Sequence, residues 1–328
     1  MDGHDYPEGG RAGDGDGERA VPLQGFEFTF DLPFTSGNSI EAEIVQAYAF
    51  PNDAPEQERL ALQGECIKRV LGDRLYFAPL SPSRPPLRIL DIATGVGDWA
   101  IDMGDLFPGS TIIATDLSPI QPENVPPNVY FYVEDSTDPW DFTHQFDYIH
   151  TRSTVGCWAS FETQIAEQAF QALEPGGWFE SQEVDSIVCC DDGTLTPDNP
   201  VAVLFNDLVE AAGKLDRPAI LGATLKEVYE RVGFVDVQQR GIKMPIGGWA
   251  RDMRLKEIGL MWRANLLEGL AGFSYQLLNR AFDRTVEEIN VSLIEVRQRL
   301  GEPSTHAYMP GFVVWGRKPY PGEVRSTL

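Results

Sequence analysis

Cations and thiols are scarce in this sequence. Its 328 residues include 26 Lys or Arg against 50 Asp or Glu, a formal net charge of −24. Such a polyanion repels a phosphate backbone, so direct nucleic-acid binding is disfavoured. The four cysteines are Cys66, Cys157, Cys189 and Cys190, and no CxxC pair is present. Neither a zinc site nor a disulfide framework is expected; partly buried, reduced thiols are. No apolar run reaches the roughly 18 residues of a membrane-spanning helix. The first residues are acidic and glycine-rich, unlike the basic start and apolar stretch of a secretory signal. The expected location is intracellular, in cytoplasm or nucleus.

What is present is ordinary for a globular chain: 42% of residues are hydrophobic. Residues 1–24 are predicted to be a disordered acidic tail. Residues 25–86 read as an N-terminal arm and helices, with an alternating Phe26, Phe28, Phe30 and a stripe of Ile44, Val45 and Tyr48. A second helix is predicted from about Pro55 to Leu71. From Leu87 onward short apolar runs alternate with helical ones. Strands are predicted at Leu87–Ile92, Thr111–Thr115, Val129–Val133, Phe146–His150 and Trp178–Val184, and helices at Asp98–Phe107 and Phe161–Leu173. This βα alternation implies an α/β domain over residues 87–244 with a mostly parallel sheet. Residues 245–303 read as helical, and a final strand is predicted at Ala307–Gly316, within residues 304–320. Together with Phe234–Ile242 it would complete the sheet, leaving 245–303 as a helical cap insertion and 321–328 as a tail.

The most informative stretch is Ile89-Leu90-Asp91-Ile92-Ala93-Thr94-Gly95-Val96-Gly97-Asp98. A buried strand enters a tight turn and then a helix. The two glycines remove side chains where backbone must approach a ligand, beyond the carboxyl end of a strand, where open α/β sheets bind. A dinucleotide loop reads GxGxxG and aims its helix N-terminus at pyrophosphate. Here Asp98 takes the place of the last glycine, and its charge would repel phosphate. S-adenosylmethionine (SAM) has no phosphate and carries an ammonium and a sulfonium, so acidic residues suit it better. Asp116, 19 residues after Gly97, ends the second strand and can accept from both ribose hydroxyls. Asp135, after the third strand, can accept from an adenine amino group. The positions assigned to the cofactor are Asp91, Ala93, Thr94, Gly95, Gly97, Asp116, Leu117, Asp135 and Ser136.

Tyr48–Asp53, Ile89–Met103, Thr115–Pro122, Asp138-Pro139-Trp140, Phe146–Arg152, Leu173–Trp178, Asp191–Leu195, Leu255–Gly259 and His306-Ala307-Tyr308 together resemble the LaeA-like fungal methyltransferases. These belong to the Rossmann-like class I SAM methyltransferases. The resemblance spans about Tyr48 to Pro319. It implies a seven-stranded sheet, a SAM site at the positions above, and a setting in fungal secondary metabolism. Relatives of this kind act as regulators with velvet-type partner proteins or tailor small molecules. Where the family has glycine, this chain has Ala93.

The end of the fourth strand faces the methyl group in this fold, so His150 and Arg152, with Glu183 after the fifth strand, are the candidate catalytic residues. Trp158, Trp249, Trp262 and Phe273 are candidates to line an acceptor pocket. No metal is expected. Two activities stay open: methyl transfer to a small-molecule acceptor, and a regulatory role through protein partners.

Overall fold

The computed structural model describes residues 52–81 and 83–323. The tail over 1–24, the arm at 25–34 and the stripe of Ile44, Val45 and Tyr48 lie outside the described residues. The chain then enters helix α1, Ala54–Val70, where Asp53 accepts from the Glu56 amide at 3.1 Å as an N-cap. The sheet follows: β1 Arg88–Ile92, β2 Thr111–Asp116, β3 Val129–Val133, β4 Phe146–Arg152, β5 Leu173–Val184, β6 Val235–Pro245 and β7 Tyr308–Arg317. Its order is β3-β2-β1-β4-β5-β7-β6. β1 to β5 run parallel and β7 is antiparallel to both neighbours. The expected sheet of seven mostly parallel strands is therefore present, and the two late strands complete one edge.

Period-two alternation places the core on both faces. On β1, Ile89 joins Trp99, Met103 and Ile112 on one face, while Leu90 and Ile92 join Phe146, Ile149 and Phe179 on the other. Helix α2, Asp98–Leu106, follows β1 directly. The helix predicted at Phe161–Leu173 opens as a π-helical turn, Glu162–Ala166, and continues as α3, Glu167–Ala172. Strand β5 begins earlier than predicted and takes in Pro175-Gly176-Gly177, with a register irregularity between Phe146 and Tyr148 on its partner.

The C-terminal helices are α4 Pro200–Lys214, α5 Leu225–Val232, α6 Met253–Phe282 and α7 Val286–Arg299. The stretch from Met253 to Leu300 is two helices. Asp283 ends the first with a left-handed φ of 55°, and Thr285 opens the second with a reciprocal capping box to Glu288. The inserted helices do not form their own core. Leu266, Leu270, Leu278, Leu293 and Val296 pack with Cys66 and Ile67 of α1 and with Leu204, Phe205 and Leu208 of α4. The cap thus draws on residues before and within the sheet region.

Candidate active site

The chain reverses direction across the sheet at β1: β2 and β3 lie to one side and β4 to the other. Ligands of open α/β sheets bind at such a switch point, beyond the carboxyl ends of the strands. A cavity of about 560 Å³ occupies that place. It is lined by Asp91, Ala93, Thr94, Gly95, Asp116 and Leu117, and further on by Asp135 and Ser136. Eight of the nine positions assigned to the cofactor from sequence, Gly97 being the ninth, therefore face one space. Gly97 stands behind the loop: at φ 81° it is the N-cap of α2, and a Cβ there would lie 2.4 Å from the Phe131 ring. At Gly95, φ 61°, a Cβ would meet nothing within 4 Å, so the loop backbone is open to the cavity.

Ala93 sits at φ 56°. This left-handed conformation favours glycine and costs an L-residue roughly 1–2 kcal/mol. The position that departs from the family pattern is thus a strained one.

Asp116 holds the loop. Its Oδ2 accepts from the Gly95 amide at 2.8 Å and its Oδ1 from the Ser118 amide at 2.9 Å. Burial raises its pKa, partly offset by these amides. Asp91 is clamped from two sides: Thr94 Oγ1 donates to Oδ2 at 2.6 Å, and His150 Nδ1 lies 2.7 Å from Oδ1. Asp135 accepts from the amide and hydroxyl of Thr137 through one oxygen. Asp98 is the first residue of α2, not its cap, and Arg152 donates to it at 2.7 Å.

The structure places two of the three catalytic candidates away from the cavity surface. His150 is paired in register with Asp91 on the adjacent strand, which puts both side chains on one face. It is fully buried, stacked on Trp99 at 3.7 Å between ring centroids, and does not line the cavity. Glu183 is 1% exposed and also off the cavity. Its carboxyl accepts from the Thr154 amide and hydroxyl, shaping the turn after β4, and burial pushes its pKa up to about 8. A general base works within hydrogen-bond reach of the proton it takes, and neither side chain lines the cavity. Arg152 does line the cavity, neutralised by Asp98. Of the aromatic candidates, Trp158, Trp262 and Phe273 line the cavity. Trp249 does not: its Nε1 donates to the Ala307 carbonyl.

Sequence reasoning missed Glu134, Asn265 and Gln276, which also line the cavity. Glu134 is adjacent to Asp135, and burial raises its pKa. The two amides lie on α6, where helical periodicity marks a lining face but not what it faces. No group of three or more His, Cys, Asp or Glu suited to a metal ion occurs among the described residues. No helix among them is long and apolar enough to cross a membrane.

Residues 63–239, more than half of the chain, match the family model described as a methyltransferase domain. The methyltransferase pytC of Aspergillus terreus is 37% identical over 275 residues, covering 84% of each chain. The probable methyltransferase tdiE of Emericella nidulans is 34% identical over 80% of this chain and 82% of its own length. The secondary metabolism regulator LAE1 of Cochliobolus heterostrophus is 32% identical over 83% of this chain and 90% of its own. With its parallel sheet, its glycine loop at the switch point and these relatives, the chain belongs to the methyltransferase-domain family, in the fungal group that contains pytC, tdiE and the LaeA-type regulators.

Proposed function

We propose that the protein is an intracellular SAM-dependent methyltransferase of fungal secondary metabolism, acting on a small-molecule acceptor. The observation that carries this reading is the convergence of the loop from Ala93 to Gly97 with Asp116 and Asp135 on one cavity. The donor set fits SAM. Asp91, Asp98, Asp116, Glu134 and Asp135 surround this half of the cavity, and the two arginines beside it, Arg59 and Arg152, are already paired with Glu56 and Asp98. Asp116 would hold the ribose hydroxyls, Asp135 and Ser136 the adenine edge, and the Asp91–Thr94 end of the loop the ammonium.

SAM supplies an activated methyl group when bound. The protein's part is to bind, orient and exclude water. Positioning of this kind is worth roughly 7–11 kcal/mol of a barrier at best. The wall built by α1, α4 and α6 closes the space over the loop, and its Trp262, Phe273 and Leu266 keep it apolar.

A second reading is favoured by one observation, the 32% identity to a protein named as a regulator. In it the chain acts through a velvet-type protein partner, with methyl transfer secondary. The experiment that separates the two incubates the purified chain and methyl-labelled SAM with fungal culture extract. Label entering the small-molecule fraction supports the first reading. Label confined to protein, or none transferred, contradicts it.

A further inference from the structure

A buried ion pair stands in the wall over the loop. Arg59 on α1 is 4% exposed and Glu56, one turn earlier, 9%. Arg59 Nε and Nη2 donate to the two carboxylate oxygens of Glu56 at 2.8 and 2.7 Å. Such pairs add little net stability over well-packed apolar residues, so stability alone does not account for this one. The third nitrogen, Nη1, donates to Gln63 Oε1 and to Asn265 Oδ1, both at 2.9 Å. One of these amides comes from α1 and the other from α6.

A guanidinium only donates. Both amides therefore turn their carbonyl ends to Arg59 and their NH2 ends away from it. Because the two carbonyls share one nitrogen, the amides stand side by side. Both residues line the cavity. Asn265 is 1% exposed, and its Nδ2 is buried without a hydrogen-bond partner. Gln63 Nε2 likewise has none among the described residues. Leaving a buried donor unpaired is costly, so this pair calls for an acceptor oxygen supplied by a ligand.

Its position selects the oxygen. The chain enters α1 beside β2, where Ser118 Oγ donates to Asn52 Oδ1 at 3.0 Å. By Gly64 the helix has reached the start of α2: a Cβ there would collide with the Asp98 carboxylate and lie 3.1 Å from Arg152 Nη2. Gln63, one residue earlier, thus stands by the turn from Thr94 to Gly97, which in the reading above holds the amino-acid end of SAM. SAM carries a carboxylate there as well as its ammonium, and donors for it are scarce. Five carboxylates ring this half of the cavity. The amides of Thr94, Gly95 and Gly97 already donate to Thr115, Asp116 and Thr94. Arg152 is paired with Asp98.

Resting on the SAM reading above, we infer that Gln63 and Asn265, oriented by the Glu56–Arg59 pair, form the subsite for the cofactor's carboxylate. Each NH2 donates to one carboxylate oxygen. Amides suit the place: a lysine there would pair with the acidic loops, whereas an amide held by Arg59 stays available to the ligand.

The test is calorimetry on the full chain with SAM, S-adenosylhomocysteine (SAH) and decarboxylated SAM, which keeps the sulfonium and ammonium but lacks the carboxylate. SAM is expected to bind at least about tenfold tighter than decarboxylated SAM, equivalent to about 1.4 kcal/mol, although the acidic loops attract the more cationic analogue. Gln63→Glu and Asn265→Asp keep the acceptor that Arg59 needs and replace the donor with a second oxygen. Each, with its fold checked by melting, is expected to weaken SAM and SAH by at least about tenfold and to leave decarboxylated SAM as tight or tighter. Gln63→Glu, at a half-buried site, decides alone if Asn265→Asp does not fold. A wild-type chain that binds SAM no tighter than decarboxylated SAM, a preference unchanged in either folded variant, or an equal loss of both ligands overturns the inference. A preference that survives both variants and falls with Arg152→Met places the carboxylate on that guanidinium and overturns it too. A wild-type chain that binds none of the three overturns the cofactor reading itself, and this inference with it.

Discussion

Single residues set both the shape and the charge of the site. Ala93 is held at φ 56° in the loop between β1 and α2. Glycine there removes the strain of the left-handed conformation but gains entropy in the unfolded chain. Ala93→Gly is therefore expected to raise stability by about 0.5–1 kcal/mol, read from the midpoint of chemical denaturation. Glu183 makes a prediction in pH. Burial raises its carboxyl from the usual 4.5 to about 8, so in that interval the folded chain keeps a proton that the unfolded chain has lost. Stability then falls as pH rises from about 4.5 to about 8 and levels off above. Glu183→Gln, always neutral, is expected to flatten this part of the profile. Its melting temperature should exceed the wild-type value by more at pH 8 than at pH 5. Asp185, whose pKa burial also raises, leaves a residual slope of the same sign.

At the scale of elements, the sheet was legible in the sequence and the wall over it was not. Strands such as Ile112–Ala114 are apolar throughout because parallel strands are covered on both faces. Asp91, Asp116 and Asp135 stand at or just past the carboxyl ends of β1, β2 and β3, so that half of the site could be found by position alone. The other half is assembled from α1, α4 and α6, far apart in the chain, and a helical stripe does not say what it will meet. His150 misled for a related reason. Its place at a strand end suggests exposure, whereas its register opposite Asp91 buries it under Trp99. How closely α6 is seated can be measured at Gly259, where a Cβ would lie 2.1 Å from the Gly247 carbonyl oxygen. Gly259→Ala is expected to cost about 1–3 kcal/mol through overpacking. Gly213→Ala on α4, where a Cβ meets nothing within 4 Å, should be neutral or stabilising by up to about 1 kcal/mol.

For the molecule as a whole, the arrangement divides labour between two parts of the chain. The parallel strands present a glycine loop and carboxylates to one end of a cavity, and the later helices bring aromatic, amide and guanidinium groups to the other. The net charge of −24 is therefore not spread evenly over the site. This division ties the cofactor to the acidic end, and titration of the folded chain with SAM, SAH and NAD tests that assignment most directly. Saturable binding of SAM and SAH, none of NAD, and at least about tenfold weaker SAM binding in Asp116→Ala are predicted. A folded chain that takes up no SAM, prefers NAD, or binds SAM equally well without the Asp116 carboxylate would contradict it.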